Sequence, residues 1–337
     1  MNPCLLLRGQ KKMKGNILIL SAGRRVELVE IFKKELLSRS IISGVFAADI
    51  KPDLSPACHL ADKSFLVPKA NHGSFINAIV NLCIDEGISI VIPTIDIELK
   101  VLSENRQEFI NNGIHLVISD IDFINTTLDK RNSNKLFNEI GIKTPKIFNE
   151  YNVEYPCIVK PYDGSSSNGV NLIYNRRDYD YFKSKDRKNI FMEFIGTDFQ
   201  EYSIDAYYDK DRILKSMVPR VRVEIRAGEV SKSLTSRNFV YDTILPCLKK
   251  IKNARGCITI QIFANHKTHE IFGIEINARF GGGYPLSYES GANFTGWVID
   301  EYLLGKKIHF FEDWERNLMI LRFDRNILIK NAATQRN

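Results

Sequence analysis

The run EIFGIEINARFGGGYPLSYES, residues 270–290, begins with the alternation of a β-strand but carries polar groups where a core would want apolar ones. Residues two apart on a strand share a face. Glu275, Asn277 and Arg279 therefore stand side by side, while Ile274, Ile276 and Ala278 take the opposite face. Gly281, Gly282 and Gly283 follow at once, either as a plain loop with an unrestrained backbone or as a sharp turn under a binding site. In the second case Tyr284, Ser287 and Tyr288 would be at hand as substrate contacts.

The preceding strand, CITIQIFA at 257–264, supplies a neighbour. Paired antiparallel, it would set Gln261 beside Glu275 and Asn277. Amide and carboxylate oxygens of this kind suit Mg2+, a hard ion that takes one or two carboxylates together with phosphate oxygens and water. Mn2+ is the alternative ion. Arg279, one step further along the same face, would then lie near a terminal phosphate, where a guanidinium offsets negative charge during phosphoryl transfer.

Further upstream, Lys160 ends the strand CIVK and PYDGSSSNGV comes next. Gly164, Ser165, Ser166, Ser167, Asn168 and Gly169 offer backbone N–H groups and hydroxyls, the donors that phosphate oxygens require. A flexible hairpin is the plainer reading. The pattern is not a P-loop, because a strand follows it instead of a helix. In FMEFIGTDFQEYSIDAYYD, Glu193, Phe194 and Ile195 end one strand and Glu201 begins another. A carboxylate accepts from ribose hydroxyls, and exposed backbone at a strand end pairs with an adenine edge. Taken alone, they would be two surface glutamates.

Residues 1–120 alternate short apolar runs (16–20, 44–49, 64–67, 89–92 and 114–118) with amphipathic stretches at 26–37, 75–86 and 97–111. That rhythm predicts βαβ units and a parallel sheet, with ligands beyond the carboxyl ends of its strands. SAGRR (residues 21–25) has one glycine where a dinucleotide fold has three, so NAD and FAD are disfavoured. Arg24 and Arg25 either bind an anion at the helix start or form a solvated pair. Asp96 and Glu98 of PTIDIE either face a ligand or simply suit a helix N-terminus.

After Thr126 the pattern changes. One helix is expected over 128–141, with Gly141 as its C-cap, and Thr144-Pro145 then breaks the chain. Strands are expected at 157–160, 169–174, 190–194, 200–208, 213–219, 221–227, 257–264 and 271–279, with helices near 176–185 and 238–253. Hairpin-joined strands indicate antiparallel sheets. The second half is thus α+β, and the first is α/β.

The chain has 337 residues, 44% hydrophobic and 26% charged, which is ordinary for a folded protein and excludes a disordered or collagen-like one. A net charge of +7 favours anions, but the cations are spread along the chain instead of forming a stripe, so nucleic acid is not the expected partner. Cys4, Cys58, Cys83, Cys157, Cys247 and Cys257 lie far apart with no zinc spacing and read as reduced packing residues of a cytoplasmic protein. No apolar run is long enough to span a bilayer. Residues 1–12 are expected to be a disordered extension, since Met13 stands just ahead of the strand GNILIL.

The order of these features resembles the ATP-grasp superfamily: a helix Lys130, a Lys160 ahead of a Gly/Ser hairpin, Glu193 to Glu201, and late strands carrying Gln261 and EINAR. The closest flavour is the carbamoyl-phosphate synthase large subunit and related carboxylate-amine ligases, with Gln261 suiting that branch. The resemblance covers residues 15–304. It implies a Rossmann-like pre-ATP-grasp parallel sheet (13–128), then an ATP-grasp fold of two α+β subdomains, a lid with its linking helix at 129–195 and a large subdomain at 196–330. The mobile lid itself is expected at 144–194.

The resemblance also implies ATP and Mg2+ as cofactors. Lys130, Lys160 and the loop with Gly164, Ser165, Ser166, Ser167 and Gly169 would hold phosphates. Glu193, Phe194 and Ile195 would hold adenine, and Glu201 ribose. Gln261, Glu275 and Asn277 would bind metal, and Arg279 would be catalytic. Lys215 or Arg222, on a hairpin at 213–227, would add a further charge. The implied reaction joins a small carboxylate to an amine, releasing ADP and phosphate. The alternative is a non-catalytic ATP-binding regulator, and a homodimer is the default assembly.

Overall fold

The computed structural model describes residues 15–164, 169–226 and 228–330. Residues 1–12 and Ser165, Ser166 and Ser167 lie outside the described residues. Five parallel strands come first: β1 (Asn16–Leu20), β2 (Val45–Asp49), β3 (Lys63–Leu66), β4 (Ile88–Pro93) and β5 (His115–Leu116), in the order β3-β2-β1-β4-β5. β1 is central and every residue of it is buried, as expected where helices cover both faces. The chain leaves β1 to one side and returns to the other through β4, so the sheet has its switch point between β1 and β4. Crevices of open α/β sheets lie there. Ser21 to Arg25 and Thr94 to Glu98 sit at that edge.

The second sheet is small and antiparallel: β6 (Ile147–Phe148), β7 (Cys157–Pro161), β8 (Asn171–Ile173) and β9 (Asn189–Glu193), ordered β6-β9-β7-β8. It has a core of its own, made by Phe148, Cys157, Val159, Ile173, Tyr179 and Phe191. The third sheet holds β10 (Gln200–Tyr208), β11 (Leu214–Arg226), β12 (Glu229–Thr235), β13 (Gly256–Ala264), β14 (Ile271–Asn277) and β15 (Met319–Leu321), ordered β14-β13-β10-β11-β12-β15. Its core is continuous with that of the first sheet. The expected α/β half and α+β half are both present. Among the described residues no helix is long and apolar enough to cross a membrane.

Several elements differ from the sequence reading. The expected strands 213–219 and 221–227 are one strand, β11, which runs through Pro219. Pro219 is tolerated because its carbonyl accepts from Ser236, just past the end of β12. In an antiparallel strand the N–H of a residue points to the same side as its C=O, so the missing donor faces no ladder partner. The stretch 97–111 is two helices, Asp96–Glu104 and Arg106–Asn111. The helix expected at 128–141 is Lys130–Ile140, capped by Asp129, whose carboxylate accepts from Arg131 N at 2.9 Å, and closed by Gly141 at φ 96°. The helices Tyr284–Glu289 and Phe294–Tyr302 were not expected from the sequence.

Candidate active site

β13 and β14 pair antiparallel with Gln261 opposite Glu275, as anticipated from their alternation, and with Thr259, which was not anticipated, opposite Asn277. Gln261 and Glu275 floor a cleft of about 260 Å³ between the third sheet and the small second sheet. Lys130, Lys160 and Gly164 line its other side, Glu193, Phe194 and Ile195 its edge, and Glu201 its far wall. Ile158, Met192, Phe263 and Ile274 give it apolar surface, on which a flat ring can lie. Glu193 also accepts from Lys146 N at 3.1 Å, which fixes its carboxylate at the strand end.

The two amines are held together at a cost. Burial pushes the Lys160 amine down to about 8; the like charge of Lys130 adds to this and Glu275 opposes it. Lys130 is itself buried and donates to Gly164 O. Two ammonium groups so placed favour an anion between them. Burial also raises the Glu201 carboxyl, against the pull of Arg222, 3.0 Å away, and with a smaller push from Glu275.

A second cleft of about 180 Å³ adjoins the first and shares Glu201, Gln261 and Glu275 with it. Asn277 and Arg279 belong here, with Arg25, Arg220, Arg222 and Gly281 to Gly283. Arg279 donates to Asp96 through Nε (3.0 Å) and Nη2 (2.7 Å), and Nη2 also reaches Asn277 Oδ1 at 3.2 Å. Arg220 is 1% exposed and forms two 2.9 Å bonds to Asp205, which also accepts from Thr259 (3.0 Å) and Ser287 (2.7 Å). The triple glycine is explained by this crowding. A Cβ on Gly283 would overlap Arg220 Nη1, one on Gly282 would overlap Arg25 Nη1, and one on Gly281 would stand 2.7 Å from Thr259 Oγ1.

Some expected residues fall elsewhere. Lys215 lines neither cleft and pairs with Asp209 at 2.9 Å, both side chains being buried. Because β11 is continuous, seven residues at about 3.3 Å each set Lys215 roughly 23 Å from Arg222. Gly169, at φ 77°, packs against Pro161 beside the loop and is not a lining residue. Tyr284, Ser287 and Tyr288 are structural: Ser287 bonds Asp205, Tyr288 bonds Glu35 at 2.6 Å, and Tyr284 is closed in beside Thr295. Conversely, Arg220 and Asp205 escaped the sequence reading, while Asp96, weighed there as facing a ligand or suiting a helix N-terminus, is the partner of Arg279. Opposite charges inside the apolar runs SIDAYY and MVPRVRV were the available signal, since Asp205 and Arg220 are diagonal neighbours across a hairpin.

Among the described residues no three His, Cys, Asp or Glu side chains are grouped to hold a metal. The donor set here is one carboxylate and two amides, all hard oxygen ligands facing the cleft junction. That chemistry fits Mg2+ when phosphate oxygens and water complete the shell.

Residues 127–283 match the family model of the ATP-grasp domain, and residues 17–117 match that of the PylC-like, N-terminal domain. No curated protein matches the sequence. Similar solved structures include the biotin carboxylase domain dimer of the Hydrogenobacter thermophilus 2-oxoglutarate carboxylase in complex with MgADP, ADP and bicarbonate (TM-score 0.69, 14% identity, covering 90% of this chain and 73% of that one). The L-amino acid ligase from Bacillus licheniformis is similar at TM-score 0.64 and 17% identity, covering 86% of this chain and 74% of that one. So is the N5-carboxyaminoimidazole synthetase from Staphylococcus aureus complexed with ADP, at TM-score 0.64 and 15% identity, over 91% of this chain and 80% of that one. At these identities the likeness is one of fold. Residues 127–283 thus form an ATP-grasp domain, with a PylC-like N-terminal domain ahead of it at residues 17–117.

Proposed function

We propose that the protein is an ATP-dependent ligase that activates a small carboxylate as an acylphosphate and joins it to an amine, releasing ADP and phosphate. The continuity of the two clefts through Glu201, Gln261 and Glu275 carries this reading. The first cleft offers apolar walls and paired amines to a nucleoside polyphosphate. The second, rich in arginine, suits a small anion beside the phosphate end.

In this reading Lys130 and Lys160 hold the phosphates, and the loop with Gly164, Ser165, Ser166, Ser167 and Gly169 closes over them. Glu193 and the backbone of Phe194 and Ile195 hold adenine, while Glu201 takes ribose. Gln261, Glu275 and Asn277 hold Mg2+, which when bound neutralises phosphate charge. A carboxylate oxygen of the substrate bonds to the γ-phosphorus as the bond from that phosphorus to the bridging oxygen breaks, and ADP leaves. The amine nitrogen then bonds to the acyl carbon, phosphate departs, and a proton passes from nitrogen to solvent. Arg279, oriented by Asp96, offsets the repulsion between the two anions. The small sheet bearing Lys160 shields the acylphosphate from water.

The test is ADP release in a screen of carboxylates and amines with Mg-ATP. Release should require both substrates and vanish in Glu275→Ala and Asn277→Ala with circular dichroism unchanged; full turnover in those variants refutes the proposal. The single carboxylate in the donor set favours a second reading, a non-catalytic ATP-binding protein. Tight ATP binding with no ADP release for any pair would select it.

A further inference from the structure

The second cleft contains a buried guanidinium with one unused end. Asp205 takes Nε and Nη2 of Arg220, and Asp205 is in turn saturated by Thr259 and Ser287. Arg220 Nη1 has no hydrogen-bond partner among the described residues, although it is buried. It points at Gly283, which has no Cβ to block it, and Arg25 Nη1 occupies the equivalent space over Gly282. Arg25 is itself under-neutralised. Burial lowers its pKa first, and Arg279, Arg322 and Arg24 add like charge against Glu229, whose oxygen is 3.6 Å away.

An unpaired buried donor is expensive, and a fixed guanidinium beside a second one is a ready receptor for a carboxylate or phosphate. In the ligase reading the reacting carboxylate lies by Asn277 and Arg279, on the side of this cleft towards Glu275, one of the residues it shares with the first. A volume of about 180 Å³ with mostly polar and charged lining leaves room for a small molecule and little apolar surface to bind a greasy one. Resting on the ligase reading of this site, we propose that the second cleft selects substrates carrying two anionic groups. One is the reacting carboxylate beside Asn277 and Arg279, and the other is a carboxylate or phosphate held by Arg25 and Arg220 Nη1 above Gly282 and Gly283.

The test is calorimetric titration of the full chain, saturated with MgADP, using matched pairs that differ by one anionic group: glutamate against glutamine, succinate against succinamate, and phosphoserine against serine. The dianionic member should bind about tenfold more tightly or better, the size expected for a charge-assisted pair. The carboxylate and phosphate pairs tell the two anions apart. The preference should fall to within about twofold in Arg25→Gln and in Arg220→Lys, with MgADP affinity unchanged. Arg220→Lys keeps a cation against Asp205 but cannot present Nη1; if it fails to fold, Arg25→Gln decides. Equal affinity within every pair, binding by no pair, or an intact preference in Arg25→Gln overturns the proposal. Dianion selection without ADP release leaves this site standing and removes the ligase reading. ADP release supported by monoanions alone does the reverse.

Discussion

The guanidinium of Arg279 closes two hydrogen bonds on the carboxylate of Asp96, at 3.0 and 2.7 Å. Arg279 follows the end of β14, and Asp96 opens the helix Asp96–Glu104 at the switch point of the parallel sheet. The charged arm of the ATP-grasp sheet is therefore aimed by the N-terminal unit. This gives Asp96 a positioning role that its place at a helix N-terminus did not reveal.

Asp96→Ala leaves Asn277, 3.2 Å away, as the remaining side-chain partner of Arg279. A guanidinium free to swing stabilises a transition state less well, so kcat for ligation should fall about 10- to 100-fold. KM for ATP should stay nearly constant, because Lys130 and Lys160 are untouched. Steady-state kinetics checks this; a rise in KM for ATP with kcat preserved would show that Asp96 serves the nucleotide instead.

Lys160 should make nucleotide binding depend on pH. With its pKa brought down to about 8, chiefly by burial and then by Lys130, the amine is charged below pH 8 and neutral above it. A bound phosphate favours the charged form, so MgADP binding near pH 8 should take up a proton, and affinity should fall as pH rises further. Calorimetry in buffers of different ionisation enthalpy reads the proton directly. Lys160→Met should bind weakly and show no uptake in this range; wild-type affinity that is flat from pH 7 to 9 would count against the role given to Lys160.

Glu98 supplies a separate signature in stability. It is buried at the end of the parallel sheet, accepts from Ser21 Oγ, and has no partner for Oε2 among the described residues. Burial lifts its carboxyl to about 7, against the Ser21 bond and helped by Asp49. Between pH 4.5 and 7 the folded state therefore holds more protons than the unfolded one. Its contribution to stability is full below about pH 4.5 and lost as pH rises through 7. Glu98→Gln, locked in the neutral state, should be more stable than wild type at pH 8, by on the order of 3 kcal/mol at most, and nearly equal to it at pH 5. Urea titrations at the two pH values compare them, and an equal difference at both would rule the mechanism out.

The sequence was most legible where one period governs a whole element. β1 follows from its short unbroken apolar run and the polar face of β14 from alternation, and pairing Gln261 with Glu275 needed only that β13 and β14 be neighbours. Legibility failed where tertiary contacts override a local signal. Pro219 reads as a strand end, yet β11 passes through it because its missing donor faces the end of β12, and that error carried Lys215 into the wrong place. The glycines at 281 to 283 read as either a plain loop or a sharp turn under a binding site, and neither reading reaches their cause, the space taken by Arg25, Arg220 and Thr259, residues distant in sequence. Asp96 met Arg279 across 183 positions, a pairing that no spacing rule reaches.

Gly273 offers the same lesson in a form that can be measured. It lies in β14 beneath the helix Lys130–Ile140, and a Cβ there would stand 2.6 Å from the ring of Phe137, which is fully buried. The ring cannot yield by changing a flexible tail, so Gly273→Ala must push the helix off the strand. Overpacking of this kind costs about 1–3 kcal/mol. The same helix begins with Lys130, so the shift should also weaken MgADP binding, without touching any residue that lines the cleft. Phe137→Leu should relieve the clash while leaving its own cavity cost. The double variant Gly273→Ala/Phe137→Leu is then expected to be more stable than the sum of the two single effects by about 1 kcal/mol or more. Chemical denaturation of all four proteins closes the cycle, and strict additivity would mean that the glycine is there for another reason.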